Sequence, residues 1–188
     1  MANFVIVTGS PGAGKTTIVS GAKFNGCKVI NIGTLMLEEA KKLGYTDDRD
    51  KIRYMNGVQL DRTRTRAFSK LASFKGNIVV DTHNFVEEHG RFIPGLPEKL
   101  LSKLHTIKAF IYVDAPELEI LERRKKDRGR HREVEDEEII KSQRTLNLSV
   151  LSYYSSKLNV PVYIIENKNG ELKASIKRYR AIIKEVFA

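Results

Sequence analysis

Short, nearly unbroken apolar runs recur along the chain at residues 4–8, 77–80 and 106–113. Runs of that length without alternation are what strands covered on both faces require. Two further runs, at 28–32 around Val29 and Ile30 and at 161–166, complete five predicted strands. Between the strands, apolar residues recur at helical spacing. A helix is predicted from Gly14 to about Asn25, with Gly26 as its stop. Another opens at Gly33-Thr34, takes Thr34 as its N-cap, and runs to Leu43 before Gly44. Pro116 suits the first turn of a helix reaching about Lys126, and residues 134–158 read as a long helix with an acidic start. The last helix carries Leu172, Ile176, Tyr179, Ile183 and Val186 at spacings of four, three, four and three.

Two stretches fit this rhythm poorly. Residues 47–72 read as helical, divided near Gly57, but Ile52, Met55, Leu60, Phe68 and Leu71 make only a sparse apolar face. So few apolar residues predict a flap standing off the core. Residues 82–97 form a long connection between buried strands, and such connections tend to carry function.

Five strands alternating with helices predict an α/β chain, a single domain over residues 1–188. Its sheet is expected to be five-stranded and parallel, with right-handed crossovers and helices on both faces. Ligands in such sheets gather beyond the carboxyl ends of the strands. Behind the first strand stands Gly9-Ser10-Pro11-Gly12-Ala13-Gly14-Lys15-Thr16, followed by Thr17. This is the G-x-x-x-x-G-K-[ST] pattern in its strand–loop–helix setting. Glycines let phosphate oxygens approach main-chain N–H groups, and the helix N-terminus turns its dipole to the same anion. Lys15 adds a charge within reach of the β- and γ-phosphates, and the Thr16 hydroxyl suits Mg²⁺. The pattern therefore predicts a P-loop NTPase fold that binds a nucleotide triphosphate.

A length of 188 residues suits one domain with a proper core. The single cysteine, Cys27, leaves no partner for an intramolecular disulfide and, without a Cys/His cluster, no zinc site. No apolar run approaches a membrane span, and the start shows no basic signal-peptide region, so a cytoplasmic protein is expected. The net charge of +10 raises nucleic acid as a partner. However, residues 123–132 hold seven Lys/Arg against one Asp, without interleaved aromatics. So local a segment more simply serves the phosphates of a small ligand, and a nucleic-acid-binding ATPase is the less favoured reading.

Several stretches, in order along nearly the whole chain, resemble the nucleoside monophosphate kinases, specifically the archaeal type of adenylate kinase. They are the phosphate loop, Asn31-Ile32-Gly33-Thr34, Asp48-Arg49-Asp50-Lys51-Ile52-Arg53, Val79-Val80-Asp81-Thr82-His83, Pro94-Gly95-Leu96-Pro97, residues 127–132, and Ile164-Ile165-Glu166-Asn167-Lys168-Asn169. Asp81-Thr82-His83 followed by Pro-Gly-Leu-Pro is the narrowest of them. The resemblance implies the reaction ATP + AMP ⇌ 2 ADP with Mg²⁺, a monophosphate-binding flap over 34–74, a lid over 123–136, and a homotrimer. A kinase for CMP or UMP is the near alternative. Glu87 to Phe92 depart from the Thr-Pro-x-Gly-Tyr run usual there, and the Asp-Gly-Phe-Pro-Arg motif of bacterial adenylate kinases is absent.

Two crowded polyphosphates repel, so arginines should converge on them from both insertions. Arg123, Arg130, Arg132 and Arg144 are the candidates from the lid side, the first three as catalytic groups beside Lys15; Arg49 and Arg53 are those from the flap. Asp81, at the end of a buried strand, is expected to join Thr16 at the metal, through a water. His83 is placed either to touch the monophosphate or to fix its loop. Thr34 is placed to meet the acceptor nucleotide as well as cap its helix. Asn167 and Asn169 stand either at the adenine edge or in a turn.

Overall fold

The computed structural model describes residues 1–22, 24–88, 90–126 and 136–188, the side chains of Arg53 and Glu88 excepted. Strands β1 (Ala2–Gly9), β2 (Cys27–Asn31), β3 (Gly76–Asp81), β6 (Ile107–Asp114) and β7 (Val162–Glu166) form one sheet in the order β2-β3-β1-β6-β7. Every pairing in it is parallel. Helices α1 (Lys15–Gly21), α2 (Ile32–Lys42), α3 (Gly57–Ala72), α4 (Glu98–Leu101), α5 (Glu117–Lys126), α6 (Glu137–Leu158) and α7 (Leu172–Val186) complete the fold. The expected five-stranded parallel α/β architecture is thus the one observed.

The period-two geometry of a strand divides the core between the faces. Phe4, Ile6, Ile78, Val80 and Phe110 point to one side, where Leu35, Met36, Phe68, Leu71, Leu100, Leu151 and Tyr154 cover them. Val5, Val7, Val79, Ile111 and Val113 point to the other, under Ile18, Val19, Ile120, Tyr179, Ile182 and Ile183. Both faces are covered over the central strands β1, β3 and β6, which is why those sequences lack alternation, whereas Val29 of β2 and Ile164 of β7 stay exposed at the two edges. The register then aligns the site: Val7 lies opposite Asp81, Asn31 opposite Asp81, and Gly9 opposite Val113.

The structure corrects several sequence expectations. α3 does not stand off the core. Thr63, Ala67, Phe68 and Leu71 form a narrow buried stripe at helical spacing, and Leu35, Met36 and Ile52 join them in the same cluster. Small Thr63 and Ala67 let the helix approach closely, so few large residues suffice. Full burial of Phe68 and Leu71 alone contributes about 1.5–3 kcal/mol each. Large apolar residues are open only in the leading part of the segment, where Tyr54 ends the 3₁₀ turn Asp50–Tyr54 and Val58 follows it.

α2 begins earlier than expected, and Asn31 is its N-cap, accepting from the Thr34 N–H. α1 ends at Gly21, short of the expected Asn25, and Arg180 of α7 donates to the Gly21 and Ala22 carbonyls left open there. The connection over 82–97 contains an antiparallel hairpin, β4 (Phe85–Glu88) with β5 (Arg91–Pro94), which no apolar pattern announces. Asp136 caps α6 through its carboxylate and the Ile139 N–H.

Candidate active site

The residues of the phosphate loop span the carboxyl end of β1 and the first turn of α1. Gly12 and Gly14 take φ of 91° and 89°, values that L side chains rarely adopt, and so give the loop its concave turn. Lys15 is 5% exposed and forms an ion pair with Asp81, itself 3% exposed. Thr16 Oγ1 lies 3.4 Å from Asp81 Oδ2. Thr16 and Thr17 are exposed at the mouth. Ser10 is buried, its hydroxyl 3.3 Å from that of Tyr112. Burial pushes the Tyr112 phenol above its usual range, so it stays a neutral hydrogen-bonding partner beneath the loop.

Two distant parts of the chain brace the loop. From the far edge of the sheet, Asn167 Nδ2 donates to the Ala13 carbonyl over 2.8 Å. A Cβ on Gly14 would run into that amide. From α5, Arg124 Nε donates to the Pro11 carbonyl over 2.6 Å and Nη2 reaches Gln143 Oε1 at 3.3 Å. Arg123 binds the Asn167 carbonyl at 2.9 Å, Asn169 Oδ1 at 2.7 Å and Glu119 at 2.8 Å. Arg123 thus stands beside the loop, held on three sides. Asn167 and Asn169 both meet it through ordered turn contacts.

The remaining sequence candidates separate. Asp81 receives Asn31 Nδ2 at 2.8 Å, and Asn31 Oδ1 accepts from Arg49 Nη2 at 2.9 Å. Arg49 and Thr34 therefore lie on the same carboxyl edge as Lys15. His83 Nδ1 is 3.3 Å from the Gly9 carbonyl, which accepts a hydrogen bond from the tautomer protonated at Nδ1. Arg144 sits elsewhere, held by Asp114 at 2.8 Å, by Glu117, and by the Ala115 carbonyl at 2.7 Å. Burial raises the Asp114 carboxyl above the ordinary aspartate range, against the pull of the Arg144 charge. Arg130 and Arg132 lie outside the described residues, as does most of the lid stretch, and the Arg53 side chain is outside them too.

Sequence reasoning did not single out Asn31, Arg124 or Gln143. A signal existed for Arg124: it follows Ile120 by four residues on α5, and those two alone are buried there. No comparable periodic signal marks Asn31 at a strand end.

A strand–loop–helix with Lys15 and Asp81 at the carboxyl edge of a parallel sheet defines a nucleotide-binding phosphate-loop protein. Solved structures share the fold. Shikimate kinase from Bacteroides thetaiotaomicron superposes with a TM-score of 0.61 at 14% identity, over 96% of this chain and 98% of that one. The sequence profile of an AAA domain matches residues 8–141. An adenylate kinase of Thermoplasma acidophilum is 35% identical over 88% of this chain and 90% of its own length. That of Methanococcus vannielii is 30% identical over 97% and 98%, and that of Methanothermobacter thermautotrophicus 32% over 95% and 98%. The chain belongs to the adenylate kinase family.

Proposed function

We propose that the chain catalyses reversible, Mg²⁺-dependent phosphoryl transfer between ATP and AMP, giving two ADP. The observation that carries this reading is the meeting of Lys15, Thr16 and Asp81 at the N-terminus of α1, within a chain of this family. Phosphoryl transfer asks little covalent chemistry of a protein and much positioning and charge neutralisation. A triphosphate in the loop meets the α1 N-terminal amides and the Lys15 cation. Thr16 and Asp81 present hard oxygen donors 3.4 Å apart, which fits a small divalent cation. Among the described residues no cluster of three or more His, Cys, Asp or Glu could hold a metal by itself, so phosphate oxygens would complete the coordination. Held by Thr16 and, through a water, by Asp81, Mg²⁺ would supply charge neutralisation for the phosphoryl group being transferred.

Opposite the loop, AMP is the acceptor, with Thr34, Arg49, Arg53 and His83 as its proposed contacts; Arg144, committed to Asp114, Glu117 and the Ala115 carbonyl, is not among them. Residues 34–74 act as its flap and 123–136 as the lid, which brings Arg123, Arg130 and Arg132 to the transferred group. A cytoplasmic homotrimer is the proposed working form. Among the described residues no helix is long and apolar enough to cross a membrane.

A coupled assay with ATP and a panel of AMP, CMP and UMP tests the reading. ADP formation with AMP in excess over the other acceptors is expected; no transfer to any monophosphate would defeat it.

A further inference from the structure

Asn31 ends β2 level with Asp81 on β3. Both ends of its amide are engaged, on opposite sides. Nδ2 donates to Asp81 Oδ2 over 2.8 Å, and Asp81 holds Lys15. Oδ1 accepts from the Thr34 N–H at 3.1 Å and from Arg49 Nη2 at 2.9 Å. The chemistry of the partners forces this orientation. A carboxylate only accepts, and a guanidinium and a main-chain N–H only donate, so the amide cannot flip.

Arg49 reaches Asn31 by crossing Gly33. A Cβ there would stand 2.7 Å from Arg49 Nη2, 3.2 Å from its Cζ, and 3.1 Å from Asn31 Oδ1. Gly33 lies inside α2 and is not among the glycines with positive φ, so the backbone does not demand glycine. Glycine weakens a helix relative to alanine; here the missing side chain makes a notch for a guanidinium. The notch is also in an electrostatically awkward place. A cation at a helix N-terminus opposes the dipole, so it needs a specific acceptor, and Asn31 Oδ1 is that acceptor.

Building on the adenylate kinase reading, we propose that Asn31 is a positioning residue for phosphoryl transfer. One amide joins the carboxylate of the phosphate-loop side to the flap cation of the acceptor side, and Gly33 provides the notch that admits that cation. Among the described residues the Arg49 fork makes this one hydrogen bond, so its other donors remain for an acceptor phosphate.

Gly33→Ala is the sharpest test, because it removes no functional group and only fills the notch. The variant should melt no lower than the wild type. Its Kd for AMP, measured by calorimetry without ATP or Mg²⁺, should rise roughly tenfold, the scale of one charge-assisted hydrogen bond. In an Arg49→Ala background the same change should add nothing. Asn31→Asp keeps the cap and the acceptor for Arg49 but sets a carboxylate against Asp81. It should keep AMP affinity and lose kcat, whereas Asn31→Ala should lose both. Wild-type AMP affinity in Gly33→Ala, or additive effects with Arg49→Ala, would overturn the proposal while leaving the family reading intact. A wild-type protein that neither binds AMP nor transfers phosphate would remove both.

Discussion

Asn167 reaches across the molecule to Ala13, donating its side-chain amide to the phosphate-loop carbonyl over 2.8 Å. The contact is buried, and its partner lies 154 residues earlier in the chain. A loop built for an anion presents its N–H groups forward, which leaves carbonyls behind it that need donors. Asn167 and Arg124 provide two of these.

Removing the Asn167 donor should therefore loosen the loop before it harms the fold. Asn167→Ala is expected to raise the KM for ATP about tenfold and to cost about 1–3 kcal/mol, since the buried Ala13 carbonyl keeps only the longer 3.5 Å contact from Arg123. Calorimetric binding of ATP together with a denaturant titration checks both. An Asn167→Ala protein with wild-type ATP affinity would mean the brace is idle.

Arg124 uses two N–H groups in different directions, to Pro11 and to Gln143. A lysine has one terminal nitrogen and no such fork. Arg124→Lys should accordingly behave much like Arg124→Ala, with a higher KM for ATP and a lower melting temperature. Recovery of wild-type kinetics by lysine would show that only charge matters at this position.

From sequence, Lys15 contributes charge and not packing, so Lys15→Ala should spare the fold. The buried pair with Asp81 changes that expectation. Truncation leaves a carboxylate at 3% exposure without its cation, a loss on the order of 3–5 kcal/mol. Turnover should fall by orders of magnitude, and the melting temperature should fall with it. The double variant Lys15→Ala/Asp81→Asn should recover most of the stability and none of the activity. Differential scanning calorimetry of the two proteins separates these effects.

Glu39 is buried on α2 and bonded to Lys42 at 2.7 Å and to Arg66 at 2.8 Å. The Lys42 hydrogen bond, then that of Arg66, holds its carboxyl below the ordinary glutamate range. A carboxylate depressed in the folded state stabilises above its unfolded pKa, and that contribution is lost as pH falls through the folded value. Stability should thus decline on acidification below the ordinary glutamate range, and the decline should be shallower in Glu39→Gln. Urea titrations across that pH window would show it; identical slopes for the two proteins would exclude Glu39 as a source.

How much was legible in advance differs by element. The three central strands could be read because both their faces are covered, which makes each a continuous apolar word; β2 and β7 at the edges were marked only by short β-branched cores. The phosphate loop could be read because its glycines, Lys15 and Thr16 meet a local steric and electrostatic demand at fixed spacing. The hairpin at Phe85–Glu88 and Arg91–Pro94 carried no such mark, since its apolar residues come as short adjacent pairs, Phe85-Val86 and Phe92-Ile93, that neither alternate nor form a run of strand length. α3 was misjudged because two small residues, Thr63 and Ala67, do as much for close packing as large ones.

By itself the sequence determined the fold class, the place of the phosphate loop, and the carboxyl edge where its partners had to gather. Those follow from local periodicity and from motifs whose members are neighbours in the chain. Asp81 and Asn167 could be placed at that edge from their positions after strands, but only the tertiary structure decided what they hold and that Asn31 and Arg124 join them. The four come from separate elements, and their contacts depend on parallel register and helix docking, which are set by residues far apart in the chain.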